Sequence, residues 1–125
     1  MKRLKSHYGC PVELTLEFVG GKWKTVILCY LKEGPYRYRD LREKIPAISE
    51  KILTERLKEL EKLELVERVP SSGGGQVRVY RLSARGESLR PVLDALYRWG
   101  VKAADRLPVT VDRPRAEVPG LQARY

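Results

Sequence analysis

This sequence predicts a mainly α fold with one small β-hairpin, α+β in class. Three observations carry that expectation. Apolar residues recur at helical spacing from Pro11 to Ile45 and again from Ile52 to Leu63. The period then changes: Leu65 to Val69 and Val77 to Leu82 are rich in β-branched and large apolar residues and flank a Gly-rich turn. A last helical pattern runs from a capping Ser83 to about Asp105.

The first helix spans residues 11–19. Pro11 suits its opening position, where a missing N–H is no loss. Val12, Leu16 and Val19 line one side, and Leu14 and Phe18 line nearly the opposite side. A helix apolar on two sides needs two covers: its own core, and either more of the same chain or a second subunit. Gly20-Gly21 breaks the pattern. Lys22 to Lys32 forms a second helix, apolar nearly all round between Val26 and Leu31 and therefore central; Gly34-Pro35 ends it. Tyr38, Leu41 and Ile45 fall at i, i+3 and i+7, a short third helix ringed by Arg37, Arg39, Arg42 and Lys44. Pro46-Ala47-Ile48 makes a tight turn, since proline cannot extend the helix before it.

Ser49 caps a fourth helix that runs to about Leu63. Ile52, Leu53, Leu57, Leu60 and Leu63 form its buried stripe, and Lys51, Thr54, Glu55, Lys58 and Lys62 project from the other side. Glu55/Glu59 and Lys58/Lys62 are spaced for pairing along the helix. The hairpin follows, with a long flexible tip over residues 70–76. Pro91 either kinks the last helix or marks a late start. Residues 107–125 carry Pro108, Pro114, Pro119 and Gly120 and no period. They read as a tail set along the surface through Val109 and Val111, behind a single domain of residues 1–106.

Composition narrows the function classes. A chain of 125 residues can bury an adequate core without staples. Its longest apolar run, Val26 to Leu31, is far too short to cross a membrane. Met1 to Lys5 is basic but no apolar segment follows, so no secretion signal is expected. Two cysteines suit a reducing cytoplasm better than a disulfide framework. The net charge of +9 and pI near 9.8 favour a polyanionic partner, nucleic acid or an anionic membrane surface.

Catalytic patterns fail on inspection. A phosphate loop needs a glycine five residues before the last one and a Ser or Thr after the lysine. Around Gly20-Gly21-Lys22 those places hold Leu16 and Trp23, after a helix rather than a strand. Gly73-Gly74-Gly75 lies inside a hairpin and fails too. One histidine, His7, and two cysteines show no paired ligand spacing, so neither metal nor cofactor is expected. The carboxylates alternate with Lys and Arg on helix faces, as on solvated helices. No enzymatic activity is expected. Cys29 sits in the apolar second helix as a small core residue. Cys10 adjoins the first helix's N-terminus, where partial positive charge favours a reactive thiolate. It reads as a redox or electrophile sensor, or else as an unreactive cap cysteine.

The basic features converge. Two helices joined by a proline turn, the second exposing Lys51, Thr54 and Lys58, match a helix-turn-helix whose second helix enters the major groove. A Gly-rich hairpin with Arg68, Arg78 and Arg81 matches a wing that reaches phosphates or the minor groove. Cys10-Pro11-Val12, Gly20-Gly21-Lys22-Trp23, Arg37-Tyr38 with Leu41, Ile48-Ser49, Leu53-Thr54 with Leu57 and Leu60, Leu65-Val66, Tyr80 with Leu82, and Leu93 with Trp99-Gly100 then follow in order over residues 8–105. Together they resemble the HxlR-type winged helix-turn-helix regulators, relatives of the MarR-like group.

The resemblance implies a homodimeric, DNA-binding transcription factor without enzymatic activity, acting on a pseudo-palindromic operator. It makes residues 49–63 the recognition helix and 65–82 the wing, with the first and last helices building the dimer. Several members sense quinones, aldehydes, hypochlorite or disulfide stress through a cysteine at the position of Cys10. The expected contacts are Ser49, Glu50, Lys51, Thr54, Glu55 and Lys58 on the recognition helix. Arg37, Arg39, Arg68, Ser72, Gly74, Gln76 and Arg78 serve the DNA backbone and wing. Leu14, Phe18, Val92, Leu96 and Trp99 form the dimer interface. The partners are double-stranded DNA, a second copy and a small electrophile or oxidant, with no membrane. The rivals are a non-sequence-specific or architectural nucleic-acid-binding protein and a protein–protein module. The chain departs from the family in four places: Leu63-Glu64 replaces a usual Asp-Gly, Ala47 replaces a common Gly, and the Gly-rich wing tip and the long tail are both atypical.

Overall fold

The computed structural model describes residues 4–71 and 77–112. Their elements are α1 (Pro11–Val19), α2 (Lys22–Glu33), α3 (Tyr38–Lys44), α4 (Glu50–Lys62), β1 (Val66–Pro70), β2 (Arg78–Leu82), α5 (Ala84–Ser88) and α6 (Arg90–Ala104). The expected wing-tip residues Ser72, Gly74 and Gln76, and the tail from 113 on, lie outside the described residues.

The apolar stripes meet at α2, which packs against α4, α6 and β2. Ile27 and Leu28 of α2, Leu41 of α3, Leu53 and Leu60 of α4, Leu65 before β1 and Leu93 of α6 are all fully buried. Each such side chain contributes roughly 2 kcal/mol when it leaves water. Lys32 is the exception in this shell, only 3% exposed. Its ammonium lies 2.8 Å from the Asp94 carboxylate and 5.3 Å from the Tyr97 ring, so an ionic link ties α2 to α6.

Both serine caps form as expected. Ser49 Oγ accepts from Ile52 N at 3.1 Å, and Ser83 Oγ accepts from Gly86 N at 3.1 Å. The end of α4 is a Schellman motif. Leu65 N donates to Leu60 O at 3.0 Å and Glu64 N to Glu61 O at 2.9 Å. The residue between helix and strand must be left-handed, and Glu64 is, with φ 60°, the only non-glycine among the described residues at positive φ. Glu64 therefore ends the helix where the family's glycine would, at a steric cost. Leu60 and Leu65, both fully buried, make the hydrophobic contact that accompanies this motif.

The last helical stretch divides where Pro91 marks a late start, one of the two expected outcomes: α5 ends at Ser88, and Pro91 occupies the first turn of α6. Proline has no N–H for the carbonyl four residues back, so a continuous helix would break there. Within α5, a Cβ on Gly86 would lie 2.1 Å from Leu65 O. Only glycine permits that approach of α5 to the start of the hairpin. Along α4 one pairing differs from the expectation: Glu59 pairs with Arg56 rather than with Lys62, whose side chain stays in solvent.

The hairpin is antiparallel with Val66 opposite Leu82 and Pro70 opposite Arg78, each strand starting one residue later than expected. Tyr36 adds an isolated bridge to β2: its N–H donates to Tyr80 O at 3.0 Å, and Tyr80 N–H returns to Tyr36 O at 2.8 Å. One residue has no period, so no sequence pattern marks this bridge.

Candidate nucleic-acid interface

The turn between α3 and α4 is fixed from both sides. Ile45 and Ile48 bury their side chains in the core, and Ile48 N donates to Ile45 O at 3.2 Å. The Arg42 guanidinium donates to Ile48 O. Ala47 at the exposed corner needs no glycine, because none of these residues takes a positive φ. From α3, Tyr38 Oη donates to Glu50 O at 3.1 Å and lies 3.1 Å from Thr54 Oγ1. Neither Tyr38 contact was legible in the sequence.

Held this way, α4 shows solvent a polar face. Ser49, Glu50, Lys51, Thr54, Glu55 and Lys58 are all exposed, opposite the buried Leu53, Leu57 and Leu60. Among the described residues Lys51 and Lys58 make no ion pair, and Glu50 sits in the first turn, where it complements the helix dipole.

The surrounding arginines fall in two groups. Arg37 is held 3.2 Å from Asp40, within the capping box of α3. Arg68 lies 3.5 Å from Glu61 and 5.9 Å from the Tyr80 ring, and Arg81 lies 2.7 Å from Glu67. Burial pushes the Tyr80 phenol up, and Arg68 beside it pulls the other way. Arg39 and Arg78 are exposed and make no such pair among the described residues. All of these cations are exposed, so their carboxylate partners contribute little stability and can be exchanged for phosphates.

Other apolar side chains stay in solvent on α1 and α6. On α1, Val12, Leu14 and Leu16 are exposed, and on α6 Leu96 and Trp99 are, Trp99 at 74%. Phe18 and Val92, expected with them, are half-buried, and Phe18 packs onto the chain's own core. Cys10 is the exposed N-cap of α1, in extended conformation with no side-chain capping bond. Cys29 is half-buried, and burial pushes its thiol up against the opposing effect of Lys32. It lines a groove of about 360 Å³ between α2 and α6 that Val111 also lines, and both Val109 and Val111 stay exposed.

Gly20-Gly21-Lys22 is a turn, not a phosphate cradle. Gly21 has φ 83° and caps α2, and the Lys22 ammonium sits 4.5 Å from the Trp23 ring. Among the described residues, no group of three or more His, Cys, Asp or Glu could hold a metal ion. No described helix is long and apolar enough to cross a membrane.

Comparison with known proteins agrees with this geometry. The family model described as HxlR-like helix-turn-helix matches residues 18–107. The uncharacterized HTH-type transcriptional regulator YtcD of Bacillus subtilis is 41% identical over 82% of each chain. Its crystal structure, at 40% identity, covers 78% of this chain and 99% of that one with a TM-score of 0.68. The redox regulator HypR in its reduced form is 32% identical over 78% of this chain and 96% of that one, TM-score 0.70. Quinone-bound YodB from B. subtilis is 38% identical over 78% of this chain and 100% of that one, TM-score 0.61. A helix-turn-helix followed by a two-stranded wing, over a matched segment that spans most of the chain, places this protein in the HxlR-like helix-turn-helix family of transcriptional regulators.

Proposed function

We propose that the protein is a sequence-specific, DNA-binding regulator that acts as a homodimer on a pseudo-palindromic operator. The observation that carries this is the face of α4, where Lys51, Thr54 and Lys58 stand exposed on a helix locked to the core by its opposite side. Two copies place their α4 helices in successive major grooves, about 34–36 Å apart. Lys51, Thr54 and Lys58 face base edges, and Glu50 and Glu55 accept from cytosine amino groups or repel wrong sites. Ser49 Oγ accepts from the backbone and keeps its own proton for a phosphate. Arg37, Arg39, Arg68 and Arg78 set register through phosphates, and the wing-tip residues Ser72, Gly74 and Gln76 extend that contact.

The dimer closes through Leu14, Leu96 and Trp99, with Phe18 and Val92 at the edge of the same surface. Residues 1–106 carry both activities, and 107–125 are an appended tail. The protein works in the cytoplasm without a cofactor. Its signal is an oxidant or electrophile at Cys10. Support for that signal comes from the exposed helix-cap position of Cys10 and from likeness to a redox regulator and to a quinone-bound one.

Selection of bound duplexes from a random library, with reduced protein at physiological salt, tests the proposal. An inverted repeat with half-sites about one turn apart is expected. Salt-dependent recovery without a motif would favour charge-driven architectural binding, and no recovery would favour a protein partner. With the motif in hand, diamide or a quinone should change the affinity of the parent and leave Cys10→Ser unaffected. A response that survives in Cys10→Ser would remove Cys10 as the sensor.

A further inference from the structure

Tyr38 opens α3 and reaches across to α4. Its Oη lies 3.1 Å from Glu50 O and 3.1 Å from Thr54 Oγ1. The phenol has one proton, and a carbonyl oxygen can only accept. Two oxygens at that distance repel unless a proton lies between them, so Tyr38 donates to Glu50 O. The second contact then requires Thr54 to donate its own proton to Tyr38 Oη. Thr54 keeps lone pairs and a methyl group, and nothing with which to donate.

Thr15, in α1, behaves differently. Its Oγ1 donates to Pro11 O at 3.0 Å, turning back on the carbonyl four residues earlier, as such residues do in helices. At Thr54 that carbonyl is Glu50 O, which already accepts from Tyr38. Thr54 is therefore turned toward α3, while it remains exposed on the face of α4 that carries Lys51 and Lys58.

We infer that Tyr38 fixes Thr54 as an acceptor-only reader of one base, which must offer an amino group in the major groove. Adenine N6 and cytosine N4 offer one; guanine O6 and N7 and thymine O4 are acceptors that Thr54 cannot satisfy. Tyr38 acts here as a positioning residue and touches no base. The inference rests on α4 reading the major groove, as proposed above.

The test begins with duplex selection by the parent and by Thr54→Val, which locates the base pair that Thr54 faces. At that pair, purine in place of adenine, or pyrimidin-2-one in place of cytosine, deletes the amino group alone. The parent should lose about fivefold in affinity, the worth of one net hydrogen bond, and Thr54→Val should lose nothing. Tyr38→Phe should lose most of the same preference, because Thr54 is then free to turn back to Glu50 O, and should keep the preferences at every other position. The inference is overturned if deleting the amino group costs the parent nothing, or if Tyr38→Phe keeps the preference in full. It is also overturned if uracil in place of the facing thymine accounts for the selection, since Thr54 would then be reading a methyl group. A motif indifferent to Thr54→Val would remove the inference and leave α4 as the reading helix. A parent that enriches no motif would remove both.

Discussion

The two outer faces of this molecule are unlike, and α4 and α1 show how. Helix α4 spends its apolar residues inward: Leu53, Leu57 and Leu60 are at most 1% exposed, and its outer face is charged and polar. Helix α1 buries only Val19 among its apolar residues and leaves Val12, Leu14 and Leu16 in solvent. On α6, Leu93 is buried while Leu96 and Trp99 are exposed. One face is finished within a single chain and asks for a polyanion. The other leaves apolar side chains uncovered, and the proposed homodimer would cover them with a second copy.

The comparison breaks most completely at the apolar face. Leu14→Asp with Trp99→Asp should abolish the dimer. Each removes an anchor worth about 2 kcal/mol, and in an isologous interface each counts twice, on the order of 8 kcal/mol in all. Light scattering at micromolar concentration should report a monomer with unchanged helix content. A dimer that survives would mean that another surface pairs the subunits.

The next largest effect falls on the link between the faces. Lys32→Ala leaves the Asp94 carboxylate, 2.8 Å from the lost ammonium, without that charge. Breaking a buried pair in this way should cost about 3 kcal/mol, seen as a lower urea midpoint. Lys32→Met with Asp94→Leu should recover most of it. If Lys32→Ala unfolds at the parent's midpoint, the pair is not holding α2 to α6.

Gly86→Ala sharpens the DNA side. The added methyl meets Leu65 O at 2.1 Å, so α5 must move away from the hairpin base. A loss of about 2 kcal/mol is expected, as for other overpacked sites. Unchanged thermal stability would show that α5 is not seated as described. The smallest effect is a gain. Glu64→Gly relieves the left-handed strain at φ 60° and sacrifices an exposed contact to Arg85 at 3.4 Å. It should stabilise by about 0.5 kcal/mol, after the greater freedom of glycine in the unfolded chain is set against the strain. A destabilised Glu64→Gly would mean that the Arg85 contact outweighs the strain.

The polar face was much more legible in the sequence than the apolar one. A stripe of leucines at helical spacing with a serine before it admits one helix with one buried side, and α4 follows it almost to the residue. On α1, apolar residues on two sides could say only that two covers exist. Phe18 went to the chain's own core and Leu14 to solvent, which spacing cannot decide. Long-range pairs left no local trace. Nothing near Lys32 in the chain signals its pairing with Asp94, and Tyr36 had no periodicity with which to announce a bridge to Tyr80. Glu64 was visible as a departure from the family, but only the backbone shows that it takes the conformation glycine would have taken.

The central claim is that the outer face of α4 reads DNA. Fluorescence anisotropy of a duplex carrying the selected repeat, titrated with the parent and with Lys51→Ala/Lys58→Ala, tests it most directly. Loss of two cations that face base edges should weaken binding to that duplex at least about tenfold and narrow its preference over a scrambled duplex. A double variant that binds that duplex as tightly as the parent, with the same preference, would contradict the account.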